Sequence, residues 1–404
     1  MKILQINAVN KIESTGRTVT EMAKSLREKG FVCVTAYSAG PSVLPEYEYR
    51  IGSRFDTKLH GLLSRAMGKQ GYFSHSATRH LLHFMDEFAP DVVILRNLHA
   101  NYIQLPMLLK YLAEKDIPTV VVLHDCWFYT GKCCHYTVAG CHKWLENCGD
   151  CPALKDYNKS WFFDKTAQML ADKKALFGAI PRLGVVGVSN WLTDEARKSA
   201  VFQNAKCIQR IYNWVDTETF APRNVEEVRQ KLGTEGKKVI LCVASTWRKE
   251  KGLDTVLQLT REIQKDKQRL LLVGGLPQGI VLPDTVIHVR KTYNLEELVS
   301  YYCLADVFVQ PSPEESFGKV TAEALSCGTP VVSFDSTANP ELVGKGCGAV
   351  VPVGDTAAFI REVFAILEKG KSQYAECCRN FALQNFNKEK NIQQYIQLFE
   401  SLCQ

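Results

Sequence analysis

The sequence predicts an α/β protein with two Rossmann-like domains, each built on a parallel β-sheet. The chain has 404 residues, which is more than one hydrophobic core ordinarily supports, so two domains are expected. Short apolar runs alternate along the chain with segments whose apolar residues recur at helical spacing, and this alternation is typical of βαβ units. The alternation occurs in two series, which join near residues 185–215.

The first series begins at the N-terminus. The apolar run KILQIN (2–7) predicts a buried strand, and residues 17–29 have a helical spacing that ends at Gly30. The series continues with strands at 31–37, 91–96, 119–124 and 183–188 and helices at 74–88, 101–114 and 164–178. We expect residues 1–187 to form an N-terminal Rossmann-like domain, with a cysteine-rich loop at 125–155.

The second series has the same alternation. It consists of strands at 238–244, 269–275, 305–310 and 330–334 and helices at 251–264, 294–303 and 318–327. We expect residues 188–385 to form a C-terminal Rossmann-like domain and residues 386–404 to form a helix that packs back toward the N-terminal domain. Ligands of parallel α/β domains bind at the carboxyl ends of the strands, so the two sheets are expected to face a central cleft.

Composition and charge narrow the class of protein. Hydrophobic residues make up 46% of the chain and charged residues 23%, which describes a globular protein rather than a disordered one. The formal net charge of +6 is too small to indicate a nucleic-acid partner. No apolar run is long enough to span a bilayer, and the polar residues in MKILQINAVN favour a buried strand over a signal peptide. We therefore expect a cytoplasmic protein whose thiols stay reduced.

Two common nucleotide-binding motifs are missing. A dinucleotide-binding enzyme carries GxGxxG directly after its first strand, whereas the loop here, NAVNKIESTGRTV, has the single glycine Gly16. The P-loop pattern GxxxxGK[ST] does not occur either. Nicotinamide-dependent dehydrogenase and P-loop ATPase functions are therefore disfavoured.

The stretch 310–334, QPSPEESFGKVTAEALSCGTPVVSF, is the most informative one for function. A strand ends at Gln310, a turn rich in Pro and Ser follows, and Gly318 begins a helix whose N–H groups and positive dipole end suit a phosphate. Glu315 in the turn and Glu323 in the helix could accept hydrogen bonds, one from sugar hydroxyls and the other from a ribose diol. The alternative is a pair of solvated charges without a ligand.

This stretch resembles the donor-binding signature of glycosyltransferase family 4, and four further segments resemble elements of the same family in the same order. They are STGRTVTEMA (14–23), IYNWVDTETFAP (211–222), VASTWRKEKGLDT (243–255) and LEELVSYYCLADVFVQPS (295–312). The resemblance covers nearly the whole chain and implies the two-domain GT-B fold. The chain departs from the family at Ser245-Thr246-Trp247-Arg248, where Gly-Arg-Leu is common, and at Trp214, where glycine is usual.

The resemblance implies a retaining transfer of a sugar from a UDP- or GDP-sugar, without a cofactor for the chemistry. The implied acceptor is a glycan or a polyprenyl-diphosphate-linked intermediate of a bacterial capsular, exo- or lipopolysaccharide. Lys251 and Arg248 would stabilise the leaving diphosphate, because positioned cations stabilise developing negative charge. The implied donor site consists of Gly16, Arg248, Lys251, Ser316, Phe317, Gly318, Lys319, Val320 and Glu323.

Roles within this site also follow from the resemblance. Glu315 would hold sugar hydroxyls and Glu323 the ribose, while the base would contact the loop Arg290–Tyr293. We expect alanine at Lys251 or Glu323 to abolish transfer and to leave thermal stability nearly intact.

Histidine is predicted to act in the transfer step together with Glu315 and Lys251. His124 ends the strand TVVVLH and resembles the family's His-Asp element near the reacting sugar. A histidine that only caps the strand is the alternative. His99 ends the preceding strand, and His99 and Asp125 are predicted to shape the acceptor site.

Six of the fifteen cysteines fall within residues 124–152. A closing CxxC followed by proline is a good zinc half-site, and four thiolates make a closed, structural shell. Cys134 or His135 could replace a ligand of the first half, and similar cysteines recur in the polysaccharide-building branch of the family. Two alternatives remain open. The cysteines bind no metal and are either reduced or disulfide-linked, or the metal that they bind is catalytic. The predicted zinc ligands have the spacing C-x7-C-x6-C-x2-C: Cys133, Cys141, Cys148 and Cys151.

Residues 54–69 predict a basic amphipathic helix. Its apolar residues recur at helical spacing, and cations such as Arg54, Lys58 and Arg65 lie largely on other faces. Such a helix can lie on an anionic membrane, or it can pack its apolar stripe on the N-terminal domain. The first arrangement would make the protein peripheral at the inner face of the cytoplasmic membrane.

Two other functions compete with sugar transfer from a nucleotide. A phosphorylase-like or sugar-phosphate-forming enzyme would have the same architecture, and its products would distinguish it. A zinc-module protein that binds nucleic acid would need a basic face around the cysteines, whereas residues 124–152 contain two lysines against three acidic residues. We therefore expect no nucleic-acid partner.

Overall fold

The computed structural model describes residues 1–156, 158–292 and 294–404. Tyr293, in the loop expected to contact the nucleotide base, lies outside these residues. None of the helices in the described ranges is both long and apolar enough to cross a membrane.

The chain divides into two compact units. The first consists of Met1–Ile211 and Glu389–Gln404, and the second of Tyr212–Lys388. The sequence pattern predicts that the first unit ends at residue 187, whereas it continues to Ile211. After residue 187 the chain forms one more helix and then one more strand, which pairs with the edge of the first sheet.

A seven-stranded sheet forms the centre of the first unit. Its strands are β1 (Lys2–Val9), β2 (Val32–Ala39), β3 (Glu48–Arg50), β4 (Val92–Leu95), β5 (Thr119–Leu123), β6 (Leu183–Gly187) and β7 (Cys207–Arg210). They lie in the order β3-β2-β1-β4-β5-β6-β7, and each neighbouring pair is parallel. The helices are α1 (Glu13–Glu28), α2 (Arg54–Met67), α3 (His75–Phe88), α4 (Leu105–Glu114), α5 (Thr166–Gly178) and α6 (Asn190–Lys198).

A six-stranded sheet forms the centre of the second unit. Its strands are β8 (Lys238–Thr246), β9 (Gln268–Gly275), β10 (Val286–Val289), β11 (Val307–Gln310), β12 (Val331–Asp335) and β13 (Gly348–Pro352). They lie in the order β10-β9-β8-β11-β12-β13, again with parallel neighbours. The helices are α7 (Glu226–Lys231), α8 (Leu253–Glu262), α9 (Leu295–Leu304), α10 (Lys319–Ser326), α11 (Asn339–Leu342), α12 (Thr356–Lys369) and α13 (Ala375–Asn385).

The last helix, α14 (Lys388–Cys403), belongs to the first unit from Glu389 onward. Leu398 and Leu402 of this helix lie over Gly184 of β6, where an added Cβ would be only 2.9 Å from a methyl carbon of Leu402. The glycine therefore lets α14 pack closely on the sheet.

Both sheets confirm the predicted α/β class with two parallel sheets. The central strands β4, β5 and β11 are buried along their whole length, as expected of sheets that helices cover on both faces. The sequence pattern did not predict the four edge strands, because they are short and only partly buried. These strands are β3, β7, β10 and β13.

Candidate active site

In the second unit, a loop joins the end of a central strand to the start of a helix. β11 ends at Gln310 and α10 begins at Lys319, with Gly318 before it in the left-handed conformation (φ 77°, ψ 59°). Glycine adopts this conformation at little cost, which explains its place where the chain turns into the helix. The first N–H groups of a helix have no intrahelical partner, so this end of α10 can bind an anion.

Two of the predicted catalytic residues contact each other at this loop. The Lys251 ammonium lies 2.5 Å from Glu315 Oε1, and the lysine side chain is 41% exposed. Lys251 ends a short 3-10 helix, and Gly252 follows it with φ 73°. A Cβ at Gly252 would lie 2.1 Å from the Pro311 carbonyl oxygen. The glycine thus allows the basic loop to lie directly against the loop before α10.

A buried tryptophan anchors the basic loop. Trp247 donates a hydrogen bond from Nε1 to the Val273 carbonyl at 3.0 Å and another from its backbone N–H to the Gly275 carbonyl at 2.7 Å. Arg248 follows directly and is exposed. The departure from the family pattern at this position therefore still leaves a cation at the surface next to an anchored backbone.

The second predicted carboxylate lies inside α10. Glu323 is 2% exposed, and its Oε2 accepts a hydrogen bond of 2.9 Å from the Tyr302 hydroxyl. Tyr302 lies in α9 and is fully buried. Glu323 is therefore part of the packing between two helices, which the sequence does not reveal.

The other predicted donor residues lie in the turn before α10 and at its start. The Phe317 ring packs against Tyr212 and Phe386 at centroid distances of 5.9 and 5.5 Å, so it anchors the turn. The buried hydroxyls of Ser316 and Thr321 have no hydrogen-bond partner among the described residues. These hydroxyls are donors that a ligand or a water molecule can satisfy. The first two residues of the helix are partly exposed: Lys319 and Val320.

The segment between β12 and α11 holds the same loop through two hydrogen bonds, and no motif in the sequence points to it. Thr337 Oγ1 accepts a hydrogen bond from the Glu315 N–H at 2.8 Å, and Asn339 Nδ2 donates one to the Ser312 carbonyl at 3.0 Å. Polar residues after a predicted strand signal a turn, but only the fold determines which backbone groups they meet.

In the first unit, the residues directly after β4 and β5 meet. Arg96 Nη1 donates a hydrogen bond to His124 Nε2 at 3.0 Å. Because a guanidinium only donates, the hydrogen of the neutral imidazole is assigned to Nδ1. Burial, reinforced by the charge of Arg96, lowers the pKa of His124 to about 3. His124 is therefore neutral at pH 7 and can donate a hydrogen bond from Nδ1.

The two residues predicted for the acceptor region, His99 and Asp125, are hydrogen-bonded to each other. His99 Nε2 lies 2.9 Å from Asp125 Oδ2. The other carboxylate oxygen, Asp125 Oδ1, accepts a hydrogen bond of 2.8 Å from the Trp127 N–H. Burial opposes ionisation of Asp125, but His99 and these hydrogen bonds hold the pKa of its carboxyl below the usual value. Ligand atoms of His99, Asp125 and Cys134 lie within 4.8 Å of one another.

Gly16 lies near the start of α1. A Cβ at this position would be 3.1 Å from the Lys11 nitrogen and 3.2 Å from Val9 Cγ2. The missing side chain therefore lets the helix lie close to the backbone that follows β1.

The four cysteines predicted as zinc ligands line one cavity in the first unit. All fifteen cysteines lie in the described part of the chain, and they carry free thiols. A hydrogen bond between the Cys133 and Cys151 thiols lowers the pKa of Cys151 and raises that of Cys133. Thiolates are good ligands of Zn²⁺, but among the described residues no three of these four cysteines have ligand atoms that all lie within 4.8 Å of one another. The cysteines at the cavity are Cys133, Cys141, Cys148 and Cys151.

Two buried lysines accompany this cavity. Lys132 lines it, and its ammonium donates to the backbone carbonyls of residues 153–154, both at 2.8 Å. The ammonium of Lys173 in α5 donates to the carbonyls of Trp127 and Thr130 at 2.5 and 2.9 Å. Burial lowers the pKa of Lys173 to about 7. Helical spacing alone did not identify either lysine as buried.

Helix α2 turns large apolar side chains toward solvent. Its N-terminus is a capping box, in which the Ser53 hydroxyl accepts from the Asp56 N–H and the Asp56 carboxylate accepts from the Ser53 N–H. Its inward face is small or polar, while Phe55 is 72% exposed. The alternative in which the apolar stripe packs on the domain is therefore wrong for most of its length. The exposed apolar residues are Phe55, Leu59, Leu62 and Met67.

An aromatic segment that the sequence analysis missed lies next to α2. Trp161, Phe162 and Phe163 are exposed, Phe162 by 72%. The Trp161 N–H donates to the Arg65 carbonyl at 2.7 Å, which joins this segment to the end of α2. We call α2 together with residues 161–163 the apolar face.

Two family profiles match the chain. Residues 15–219 match the family described as "Glycosyltransferase Family 4", and residues 237–369 match "Glycosyl transferases group 1". Together these matches cover parts of both units.

Curated relatives are similar at moderate identity. The chain is 28% identical over 224 residues to the N-acetyl-alpha-D-glucosaminyl L-malate synthase of Bacillus anthracis. The aligned region covers 52% of this chain and 58% of that protein. It is 26% identical over 330 residues to the "Putative colanic acid biosynthesis glycosyl transferase WcaC" of Escherichia coli (strain K12), covering 78% and 77%. The chain thus spans less than two thirds of the first relative and about three quarters of the second.

Solved structures are similar over almost the whole chain. Sucrose-phosphate synthase from Thermosynechococcus elongatus has a TM-score of 0.70 at 18% identity, with 99% of this chain and 98% of that chain covered. Anabaena Alr3699/HepE in complex with UDP and glucose has a TM-score of 0.66 at 16% identity, with 99% and 100% covered. At these identities the similarity describes the fold.

Proposed function

The chain belongs to glycosyltransferase family 4 and has the GT-B fold, and on this premise we propose that it builds a bacterial surface polysaccharide. In the proposed reaction a sugar moves, with retention of anomeric configuration, from a nucleotide-sugar donor to a glycan or a polyprenyl-diphosphate-linked acceptor. The observation that carries the proposed transfer is the contact of Lys251 with Glu315, which lies in the loop that leads into α10, and the similarity to the putative colanic acid biosynthesis glycosyl transferase supports a polysaccharide product.

This contact places a cation beside a carboxylate of the loop that leads into the first N–H groups of α10. A diphosphate bound at the start of α10 would draw the Lys251 ammonium away from Glu315, because the diphosphate carries the larger negative charge. The released Glu315 carboxylate could then accept hydrogen bonds from sugar hydroxyls. Arg248 adds a second cation, and Glu323 is proposed to bind the ribose. Fixed positive groups of this kind stabilise the charge that develops on a leaving diphosphate.

The proposed transfer step needs no carboxylate nucleophile. The bond between the anomeric carbon and the diphosphate oxygen breaks, and the acceptor oxygen forms its bond on the same face of the sugar. The acceptor proton passes to the leaving diphosphate, which balances the reaction. His124 would donate a hydrogen bond from Nδ1 to a sugar hydroxyl, and His99, oriented by Asp125, would help to bind the acceptor.

The purified protein should be stabilised by its donor and should release a nucleoside diphosphate when acceptor is added. UDP-sugars are the first donors to test, because HepE was described in complex with UDP-glucose, and GDP-sugars are the second. Donor at 100 times its Kd should raise stability by about 2.7 kcal/mol, which a thermal unfolding experiment detects. Formation of a sugar phosphate from a glycan and free phosphate, with every nucleotide sugar inert, would instead identify a phosphorylase-like enzyme.

We propose that the apolar face binds an anionic membrane, with the enzyme peripheral at the inner leaflet of the cytoplasmic membrane. Exposed cations accompany the apolar side chains, among them Arg54, Lys58 and Arg65 on α2. Aromatic rings insert at the membrane boundary, and lysine and arginine attract anionic headgroups. A lipid-linked acceptor would then be delivered at the surface where the enzyme is bound.

Phe162→Ser and Leu62→Ser should each reduce binding to liposomes that contain anionic lipid. Burial of one large apolar side chain contributes about 1.5–3 kcal/mol, so we expect a roughly tenfold or larger loss of partitioning in co-sedimentation at low salt. Val281→Ser is the matched control, since Val281 is 90% exposed but lies in the second unit. Equal amounts of wild-type protein in the supernatant with and without liposomes would contradict the proposal.

We propose that the four cysteines at the cavity hold a zinc ion with a structural role, and that the transfer needs no cofactor. Four thiolates complete the tetrahedral shell of Zn²⁺ and leave no position for a substrate. The ion would cross-link the loop 125–155 that follows His124. Protein that neither contains zinc when purified without chelator nor takes it up would contradict this assignment. Immediate loss of transfer on chelation, with the fold intact, would instead indicate a catalytic metal, for which His99, Asp125 and Cys134 offer ligands.

A further inference from the structure

Two cysteines of the second unit place their sulfur atoms in contact. Cys347 lies directly before β13 and Cys377 lies in the first turn of α13, and their Sγ atoms are 3.7 Å apart. The residue before Cys347 is Gly346, at which an added Cβ would lie 3.2 Å from Cys377 Sγ. The glycine therefore lets the start of α13 lie directly against the backbone at Cys347. The two thiols are neighbours in the fold, as a disulfide with its S–S bond of about 2.05 Å requires.

The two thiols differ in their access to solvent. Cys377 is exposed, whereas Cys347 is 0% exposed. Hydrogen bonds with the thiols of Cys378 and Cys377 lower the pKa of Cys347 to about 7, and the bond to Cys347 raises the pKa of Cys377. The pair as a whole therefore carries one thiolate near neutral pH. An oxidant in solution reaches Cys377 first, and the sulfur of Cys347 lies next to it to resolve the oxidised form.

We propose that Cys347 and Cys377 are a site of oxidative modification, at which a peroxide converts the two thiols into an intramolecular disulfide. The Cys377 thiolate attacks one oxygen of hydrogen peroxide, the O–O bond breaks and hydroxide leaves, so Cys377 becomes a sulfenic acid. The Cys347 sulfur then attacks this sulfur. The S–S bond forms, the S–O bond breaks, and the hydroxyl leaves as water with the proton of Cys347.

The overall reaction balances without a cofactor. The hydroxide released from the peroxide takes up the proton that Cys377 lost, so two thiols are oxidised and one hydrogen peroxide is reduced to two molecules of water. Cys378 is the alternative partner of Cys347, but it is 0% exposed and its Sγ lies 3.6 Å from the Cys347 carbonyl oxygen. Exposure to the oxidant thus favours Cys377 over its neighbour.

The disulfide would cross-link two segments that are 30 positions apart in the chain. The Cys347 carbonyl accepts a hydrogen bond from the Val331 N–H of β12 at 3.0 Å, so Cys347 is fixed to the sheet. Arg379, two residues after Cys377, donates to the carbonyl of Ser326 at the end of α10 at 2.8 Å. The link would therefore fix to the sheet the helix that holds the end of α10. A cross-link also restricts the unfolded chain, so the oxidised protein should be the more stable form.

Peptide mapping of peroxide-treated protein tests the disulfide itself. After free thiols are blocked with an alkylating reagent, trypsin places Cys347 in the peptide 346–361 and Cys377 in the peptide 372–379. We expect these two peptides to be linked in wild type and to be released by dithiothreitol. Cys377→Ser should form no link. Cys403→Ser is the matched control and should form the link as wild type does, since Cys403 is also exposed but lies in the first unit.

Thermal unfolding tests the effect of the cross-link. Oxidised wild type should unfold about 5–10 °C above the reduced protein, and dithiothreitol should reverse the shift. Cys377→Ser should unfold at the temperature of reduced wild type with and without peroxide, which separates this disulfide from oxidation elsewhere. Cys377 that stays a thiol or becomes a sulfinic acid without forming the link would overturn the inference. A link that persists in Cys377→Ser would do the same, because Cys378 would then be the partner.

Discussion

Replacing Lys251 with alanine is expected to lower kcat by about 10²–10³-fold, the usual cost of removing one group that stabilises transition-state charge. The ammonium lies 2.5 Å from Glu315, which belongs to the loop that leads into α10. A diphosphate bound at the start of α10 would therefore replace one anionic partner of Lys251 with another. Thermal stability should change by less than about 1 kcal/mol, because Lys251 is 41% exposed and partly exposed ion pairs contribute little. Initial rates of nucleoside diphosphate release and a thermal melt provide both measurements.

Lys249→Ala is the matched control for this prediction. Lys249 lies in the same 3-10 helix but is exposed, so its removal changes the local charge equally and does not remove the contact with Glu315. We expect a change of less than about threefold in kcat from screened charge alone. If the Lys249 and Lys251 variants lose activity equally, the effect comes from the general field of the loop and the assigned role of Lys251 is incorrect.

The fold followed from the sequence because its signals are local. A buried parallel strand is a short apolar run: β4 reads VVIL without interruption, and β5 and β11 each have one polar residue, at an end of the strand. The edge strands lack it: β7 reads CIQR, and each of its residues is only partly buried. Helix α4 begins at Leu105 rather than near residue 101, since Pro106 is favoured in the first turn of a helix.

The candidate site was only partly predictable, because several of its features depend on contacts between distant segments. Lys251 and Glu315 belong to sequence motifs, so their place in the site could be predicted from the sequence alone. Arg96 follows a strand like many other residues, and nothing local indicates that it bonds to His124. Lys173 lies on a helix where helical spacing would equally suit a solvated lysine, and only the packing of α5 against the loop at Trp127 buries it.

Helix α2 was predicted from the sequence, but the face that it buries was not. Its amphipathic pattern predicted the helix correctly but left open which face is buried. The inward residues are His60, Gly61 and Ser64, so the apolar stripe faces outward, against the usual rule for a surface helix. Small residues are buried on one face and large apolar ones are exposed on the other, which the proposed membrane-binding face requires. Periodicity alone cannot distinguish such a face from a core-facing stripe.

Replacing Glu323 is expected to have two separable effects, one on donor binding and one on stability. Glu323→Ala should destabilise the protein by about 1–3 kcal/mol, because the buried Tyr302 hydroxyl loses the acceptor at 2.9 Å. This differs from the sequence-based expectation of nearly intact stability, which treated Glu323 as accessible. Glu323→Gln keeps the volume and one carbonyl oxygen, so most of the stability should remain.

The glutamine variant therefore isolates the proposed contact with the ribose. A hydrogen bond to a charged acceptor contributes about 1.5–3 kcal/mol, so its replacement by a neutral amide should raise the KM for the nucleotide sugar by about tenfold or more. Tyr302→Phe is the control, since it removes the hydroxyl that bonds to Glu323 and leaves the carboxylate charge in place; it should cost stability with little change in KM. A Gln variant with wild-type KM and kcat would rule out the ribose contact, because the variant changes only the terminal group of one buried side chain of α10, from a carboxylate to a neutral amide.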